Sequence, residues 1–212
     1  MVIMNKKAIA LGSISSVLLS VSLLAAPALA HHASGGEVPS TFAQGFLSGI
    51  GHPVIGIDHL AFVVAIGLLA AWSKKLGLVI PVAFVAATAL GTAIHLQSID
   101  LPVPELIISA SVLVMGILLA KENQINWVII TAIGAIAGIF HGYAYGESIV
   151  GARTTVLGAY LLGFCSIQLA ISAIAFYVAR SVIKTPTSLW LRFAGFAISG
   201  IGFAFVSNAI LG

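Results

Sequence analysis

The stretch GHPVIGIDHLAFVVAIGLLAAW, residues 51–72, decides how the chain is read. Its second half is an unbroken apolar run, while its first half carries His52, Asp58 and His59. About 20 apolar residues in a helix cross a hydrocarbon layer of about 30 Å. A polar group left unpaired there costs several kcal/mol, so three of them together need a purpose.

Working outward, the same kind of run recurs. Hydrophobic residues make up 60% of the chain and charged residues 7%, with a mean hydropathy of +1.15. A soluble domain carries about 25% charged residues. The expected fold is therefore all-α, a polytopic helical bundle in a lipid bilayer. Six spans are expected at about 52–72, 76–96, 104–120, 126–146, 153–179 and 190–211. Residues 41–51, moderately apolar and rich in glycine, either extend the first span outward or lie at the interface. In this setting the formal charge of +3 is no footprint of nucleic acid. No G-x4-G-K-[ST] loop is present, so no nucleotide is expected. Cys165 is the only cysteine and lies inside an apolar run; it is read as packing.

Lys6 and Lys7 precede an apolar run from Ala8 to Ala26, followed by Ala28-Leu29-Ala30. These are the parts of a secretory signal. The chain is thus read as a signal peptide over 1–30, a periplasmic segment over 31–51 and a six-helix transmembrane domain over 52–212. Cleavage after Ala30 leaves His31 and His32 at a mature N-terminus outside the cytoplasm. With that end outside, the inner loops hold Lys74, Lys75, Lys121, Arg180, Lys184 and Arg192, and the outer loops hold Arg153 alone. Trp72, Trp127 and Trp190 fall at the inner boundary, where indole rings anchor. The expected location is the bacterial inner membrane, multi-pass, with the mature N-terminus in the periplasm. Gly134, Gly138 and Gly142 recur every four residues on the fourth span, a face that admits a close neighbour.

This topology brings the polar residues together. With Pro53 as a first-turn proline, a straight first span puts Asp58 and His59 about 9–10 Å below His52. His52 and His59, seven residues apart, share one face. The second span runs outward and ends near His95. The fourth also runs outward, placing His141 about 7 Å below the rim and Glu147 at its mouth. Imidazole and carboxylate together suit nickel, cobalt, zinc, copper(II) or iron(II). Asp58 either ligates from the side or orients an imidazole. Thr88 and Thr92 on the second span, Tyr145 on the fourth and Gln168 on the fifth are candidates for a route inward. His31 and His32 are candidates for first capture.

His52-x5-Asp58-His59, with FHGYAYGE from Phe140 to Glu147, resembles the HupE/UreJ family of nickel permeases, hydrogenase and urease accessory membrane proteins. That family carries H-x5-D-H in its first mature span and an FHG-x-[AV]-x-G-x-E-like motif in its fourth. In this chain Gly146 directly precedes Glu147, so the acid falls one position early while His141 meets the pattern. The resemblance implies that His52, Asp58 and His59 serve nickel transport, with cobalt as the other substrate within the family. It implies a secondary, non-ATP permease, no enzyme, with Ni2+ as transported substrate and no organic cofactor. Two other readings of the residues stand beside it. One is an intramembrane zinc hydrolase, with three histidines and an aspartate on the metal and Glu147 as base. The other is a haem carrier using His95 and His141 as axial ligands. Oligomeric state and coupling ion are not written in the residues.

Overall fold

The computed structural model describes residues 38–73, 77–121, 126–182 and 189–212. The expected leader at 1–30, His31 and His32, and the loop residues Lys74, Lys75, Glu122 and Lys184 lie outside the described residues. Seven helices follow one another: α1 Phe42–Ile55, α2 Ile57–Ala70, α3 Val79–Leu96, α4 Pro104–Ala120, α5 Trp127–Glu147, α6 Thr154–Val182 and α7 Leu189–Leu211. The described residues are otherwise turns and loops. α3, α5, α6 and α7 are long and apolar enough to cross a membrane. The α1–α2 pair passes that test when taken as one span, and α4 is a shorter apolar helix. The chain is a multi-pass membrane protein.

The first expected span is corrected. In place of one straight helix from 52 to 72, the chain turns by 80° between α1 and α2. α1 starts ten residues earlier, at Phe42, where the Thr41 hydroxyl and Gln44 side chain form a capping box that satisfies first-turn N–H groups. Pro53 is not a first-turn residue: it lies inside α1 near its end, where it removes one helical hydrogen bond. Gly56 then adopts an extended conformation, φ −70 and ψ 105, and α2 starts afresh. Gly56 leaves room for its neighbours' side chains. A Cβ there would sit 2.7 Å from His59 Cδ2 and 3.3 Å from an Asp58 carboxylate oxygen.

Three helix pairs form the frame: α3 along α5, α4 along α7, and α1 along α6. Each depends on small residues that bring backbones together. Side chains at Gly138 and Gly142 would meet the Phe84 and Thr88 carbonyls of α3, so two of the three glycines singled out in the fourth span do bring a backbone close. Gly134 instead faces Ile66 of α2. Gly116, Gly195 and Gly202 do the same between α4 and α7, and Gly45, Gly49 and Gly163 between α1 and α6. α2 sits among these pairs and touches every other helix. Because it is apolar on all sides it can be buried on all sides: Phe62, Val63, Ala65, Ile66 and Leu69 are fully enclosed.

Candidate metal-transit site

The break at Gly56 places His52 on one helix and His59 on the next, yet their ring centroids are 5.8 Å apart. The expected depth of 9–10 Å along one straight helix therefore does not hold. The bend, and not a shared helical face, brings the two rings together. The Tyr145 ring lies against both, with centroids 5.0 Å from His52 and 4.7 Å from His59. His52 Nδ1 is 3.2 Å from Ser148 Oγ and 3.1 Å from the Tyr160 hydroxyl. Both hydroxyls also donate to the Tyr145 carbonyl, so this imidazole is tied to the α5–α6 packing.

Below it, His59 Nδ1 and His141 Nδ1 are 2.7 Å apart. His141 is fully buried, with the Phe62 ring centroid 4.4 Å away and Phe84 at 6.2 Å. Its other nitrogen, Nε2, is 3.1 Å from Ser111 Oγ on α4.

A cavity of about 400 Å³ opens beside these rings. His52, Asp58 and His59 line it from α1 and α2, and Glu147 and Ser148 from α5 and the turn after it. Its remaining wall comes from the start of α4 (Glu105, Ile108, Ser109) and the end of α7 (Phe205, Asn208). Asp58 stands in the first turn of α2 and accepts the His59 backbone N–H at 2.9 Å, a position the helix dipole favours for a carboxylate. α4 begins at the rim, where Val103 adopts a left-handed φ of 43° and Pro104 follows at the first helical position.

The expected set is thus brought together in part. His52, Asp58, His59 and Glu147 line one cavity, and His141 backs it through His59. His95 does not join them. Its ring packs on Tyr143 at 4.4 Å and against Gly146, and its buried Nδ1 has no hydrogen-bond partner among the described residues. Straight-helix geometry puts His95 at the right height but does not say which side of α5 it meets. Thr88, Thr92, Tyr145 and Gln168 are fully buried and do not line the cavity. Thr92 donates to the Gly142 carbonyl at 2.8 Å, tying α3 to α5. Thr88 donates to its own helix at Val85 and accepts from Gln168 Nε2 at 3.3 Å. Gln168 Oε1 has no partner among the described residues.

Sequence reading misses Glu105, Ser111 and Asn208. Glu105 carries one signal, an acid at a span boundary on the side of the other acids. Ser111 and Asn208 carry none, being single polar residues in apolar runs. The four described acids, Asp58, Asp100, Glu105 and Glu147, all stand at the cavity end of the bundle by chain order, whereas Lys121, Arg180 and Arg192 stand at the other. Ser148, one position past Glu147, bonds to His52, while Glu147 itself lines the cavity. Among the described residues, no three His, Cys, Asp or Glu side chains form a ready-made metal-binding group.

The architecture is that of a helical membrane protein with buried imidazoles opening on an acid-rimmed cavity. Sequence comparison places it more narrowly. The family model for HupE / UreJ protein matches residues 19–205, and the chain belongs to that family. It is similar to Protein HupE of Rhizobium leguminosarum bv. viciae, 28% identical over 194 residues that cover 90% of this chain and 96% of that protein. No solved structure matches it.

Proposed function

We propose that the protein takes up a divalent transition metal, nickel first and cobalt second, from the periplasm into the cytoplasm as a secondary permease. One observation carries this reading: a cavity rimmed by Asp58, Glu105 and Glu147 ends on the imidazoles of His52 and His59. At about 30 Å³ per water, a cation with six waters displaces about 200 Å³, and the 400 Å³ cavity holds it with its hydration shell. The carboxylates offset the charge at the rim. The imidazoles then replace water, which suits nickel and cobalt and not the hard cations that prefer oxygen.

A transit site must also let go, so binding strong enough to enter and weak enough to leave is the requirement. Phe62 and Phe84 pack on His141, behind the His59–His141 pair, so passage requires a rearrangement of the helices around α2. Thr88, Gln168 and Ser172 are buried in the bundle and offer oxygens there. An inward potential of 100 mV supplies about 4.6 kcal/mol for two charges, enough to drive uptake without a nucleotide. In this reading the bundle sits in the inner membrane with its cavity facing the periplasm and His31 and His32 available for first capture.

The test is uptake of radioactive nickel at submicromolar concentration by cells lacking other nickel importers, with excess cobalt, zinc or magnesium as competitors. Nickel uptake above that of empty cells, suppressed by cobalt and untouched by magnesium, is the expected result. Equal counts with and without the protein would sink the reading.

A further inference from the structure

Glycines divide the helices into two bodies. A Cβ on Gly116, Gly195 or Gly202 would meet the backbone nitrogen of Ser199, Ala120 or Leu113, so α4 and α7 are locked backbone to backbone. The other helices are joined among themselves. Gly67 of α2 faces the Ser172 carbonyl of α6, and Gly134 of α5 faces Ile66 of α2. No described glycine outside α4 and α7 has either of those helices as its nearest neighbour. Where α4 passes α5, an apolar groove of about 450 Å³ lies between Leu106, Ile107, Ala110 and Val114 on one side and Ile133 and Ile136 on the other. Against α2 the pair packs through side chains such as Met115 and Leu119, contacts of the kind along which helices slide.

Backbone strain falls at the junction of these bodies. Two described residues other than glycine have positive φ, Ser98 at 56° and Val103 at 43°. Ser98 ends α3 in a regular way: the N–H groups of Ser98 and Ile99 donate to the His95 and Ile94 carbonyls at 2.9 and 3.4 Å, a common left-handed helix ending. Val103 has no such account. It is β-branched, a type for which this region is an outlier, and it precedes Pro104, which favours an extended backbone. Its side chain makes no cap bond to α4 and is 60% exposed. Strain of this kind persists only where the surroundings dictate it. Before Val103, the loop is tied to α5 by the Tyr143 hydroxyl, which donates to Asp100 at 3.3 Å. After it, α4 is fixed to α7. Val103 is held between the two bodies.

We propose that α4 and α7 move as one body against the other five helices, hinged at Val103, and that this motion opens and closes the cavity. This rests on the transport reading and deepens it, because it names the part that moves when passage rearranges the bundle. The cavity has one wall on each body: Glu105, Ile108, Phe205 and Asn208 on the α4–α7 pair, and Asp58 and Glu147 on the rest. Leu106 lines both the cavity and the groove, so a slide along the groove displaces the cavity wall with it. Relaxing Val103 from φ 43° to an extended φ of about −120° re-aims α4 relative to the loop before it. One side-chain bond crosses the groove, Ser111 to His141 at 3.1 Å, and holds the present arrangement.

The experiment is pulsed electron-spin distance measurement on the full chain, metal-free in lipid bilayers, read beside nickel uptake. Cys165 is the only cysteine, so Cys165→Ala leaves labels only where they are introduced. Val150→Cys with Ile210→Cys places labels on the two bodies, and Phe42→Cys with Val150→Cys places both on one; all three positions are exposed. The first pair should show two distances, one of them matching the present structure, and the second pair a single distance. Val103→Gly removes the cost of the left-handed backbone and should shift the ratio toward the present structure by roughly tenfold. Maximal nickel uptake should then fall severalfold, since a cycle needs both forms. Val103→Ile, which keeps the β-branch, should leave both readouts as they are. A single distance for the first pair, or a ratio that Val103→Gly leaves unchanged, overturns the proposal. The spectrum of the chain with native Val103 decides even where the glycine variant fails to fold. Two distances without nickel uptake by the intact protein count against the transport reading alone.

Discussion

The two ends of α2 differ in kind. Its beginning, with Asp58 and His59, borders open space and the carboxylates of two other helices. Its later turns, from Phe62 through Leu69, are enclosed with Ile80, Met115, Leu119 and Ile130 in an apolar core. One end of the helix thus faces a polar-lined cavity and the other a closed apolar core. The entrance is built from polar side chains that the Gly56 break turns toward one another. The core behind it is built from small residues and close backbones, so its geometry cannot yield without moving whole helices. On the proposed transport reading, the entrance selects by chemistry and the core behind it yields only by repacking.

That contrast can be broken at several points. The largest effect is expected from His59→Ala, which removes the imidazole shared by the cavity and the His141 pair; nickel uptake should fall to the level of empty cells, with surface expression retained on a blot. Gly56→Ala should come next. Its Cβ, 2.7 Å from His59 Cδ2, displaces that ring without altering any ligand, and a displacement of this kind costs on the order of 100-fold in rate. Gly142→Ala attacks the other region: a Cβ there collides with the Thr88 carbonyl. Overpacking of about 1–3 kcal/mol should lower the melting temperature of the purified protein by several degrees.

A smaller effect is expected from Gln168→Leu. This change removes Oε1, which has no partner among the described residues, and the bond to Thr88 while keeping volume. If polar atoms of the enclosed half assist passage, maximal uptake should fall severalfold with half-saturation unchanged, since the entrance is untouched. The smallest belongs to His95→Ala. His95 packs on Tyr143 outside the cavity, and uptake should stay within about twofold, as for a change away from the site. A loss equal to that of His59→Ala would return His95 to the ion's path.

Much of the molecule is legible in its amino-acid sequence. Apolar runs of spanning length locate the helices, and the basic residues group the acids and histidines at one end. His52, Asp58 and His59 stand out because intramembrane charge is rare and functional. The break at Gly56 is not legible, because a proline fits the first turn of a helix without cost, so nothing local forces Pro53 into a helix interior, and glycine is common in membrane helices. That ambiguity propagates into the depth of His59. The contact of Ser111 with His141 depends on α4 lying beside α5, a pairing no local pattern encodes. His95 is misplaced for a related reason: sequence supplies height along a helix far better than the neighbour a side chain meets.

The most direct test of the central claim uses purified protein in liposomes that hold a nickel-quenched dye, with an inside-negative potential imposed by potassium and valinomycin. The account predicts quenching that needs both the protein and the potential, is abolished in His59→Ala, and is slowed by external cobalt. Quenching of equal rate in His59→Ala, or none with the intact protein correctly inserted, would contradict it.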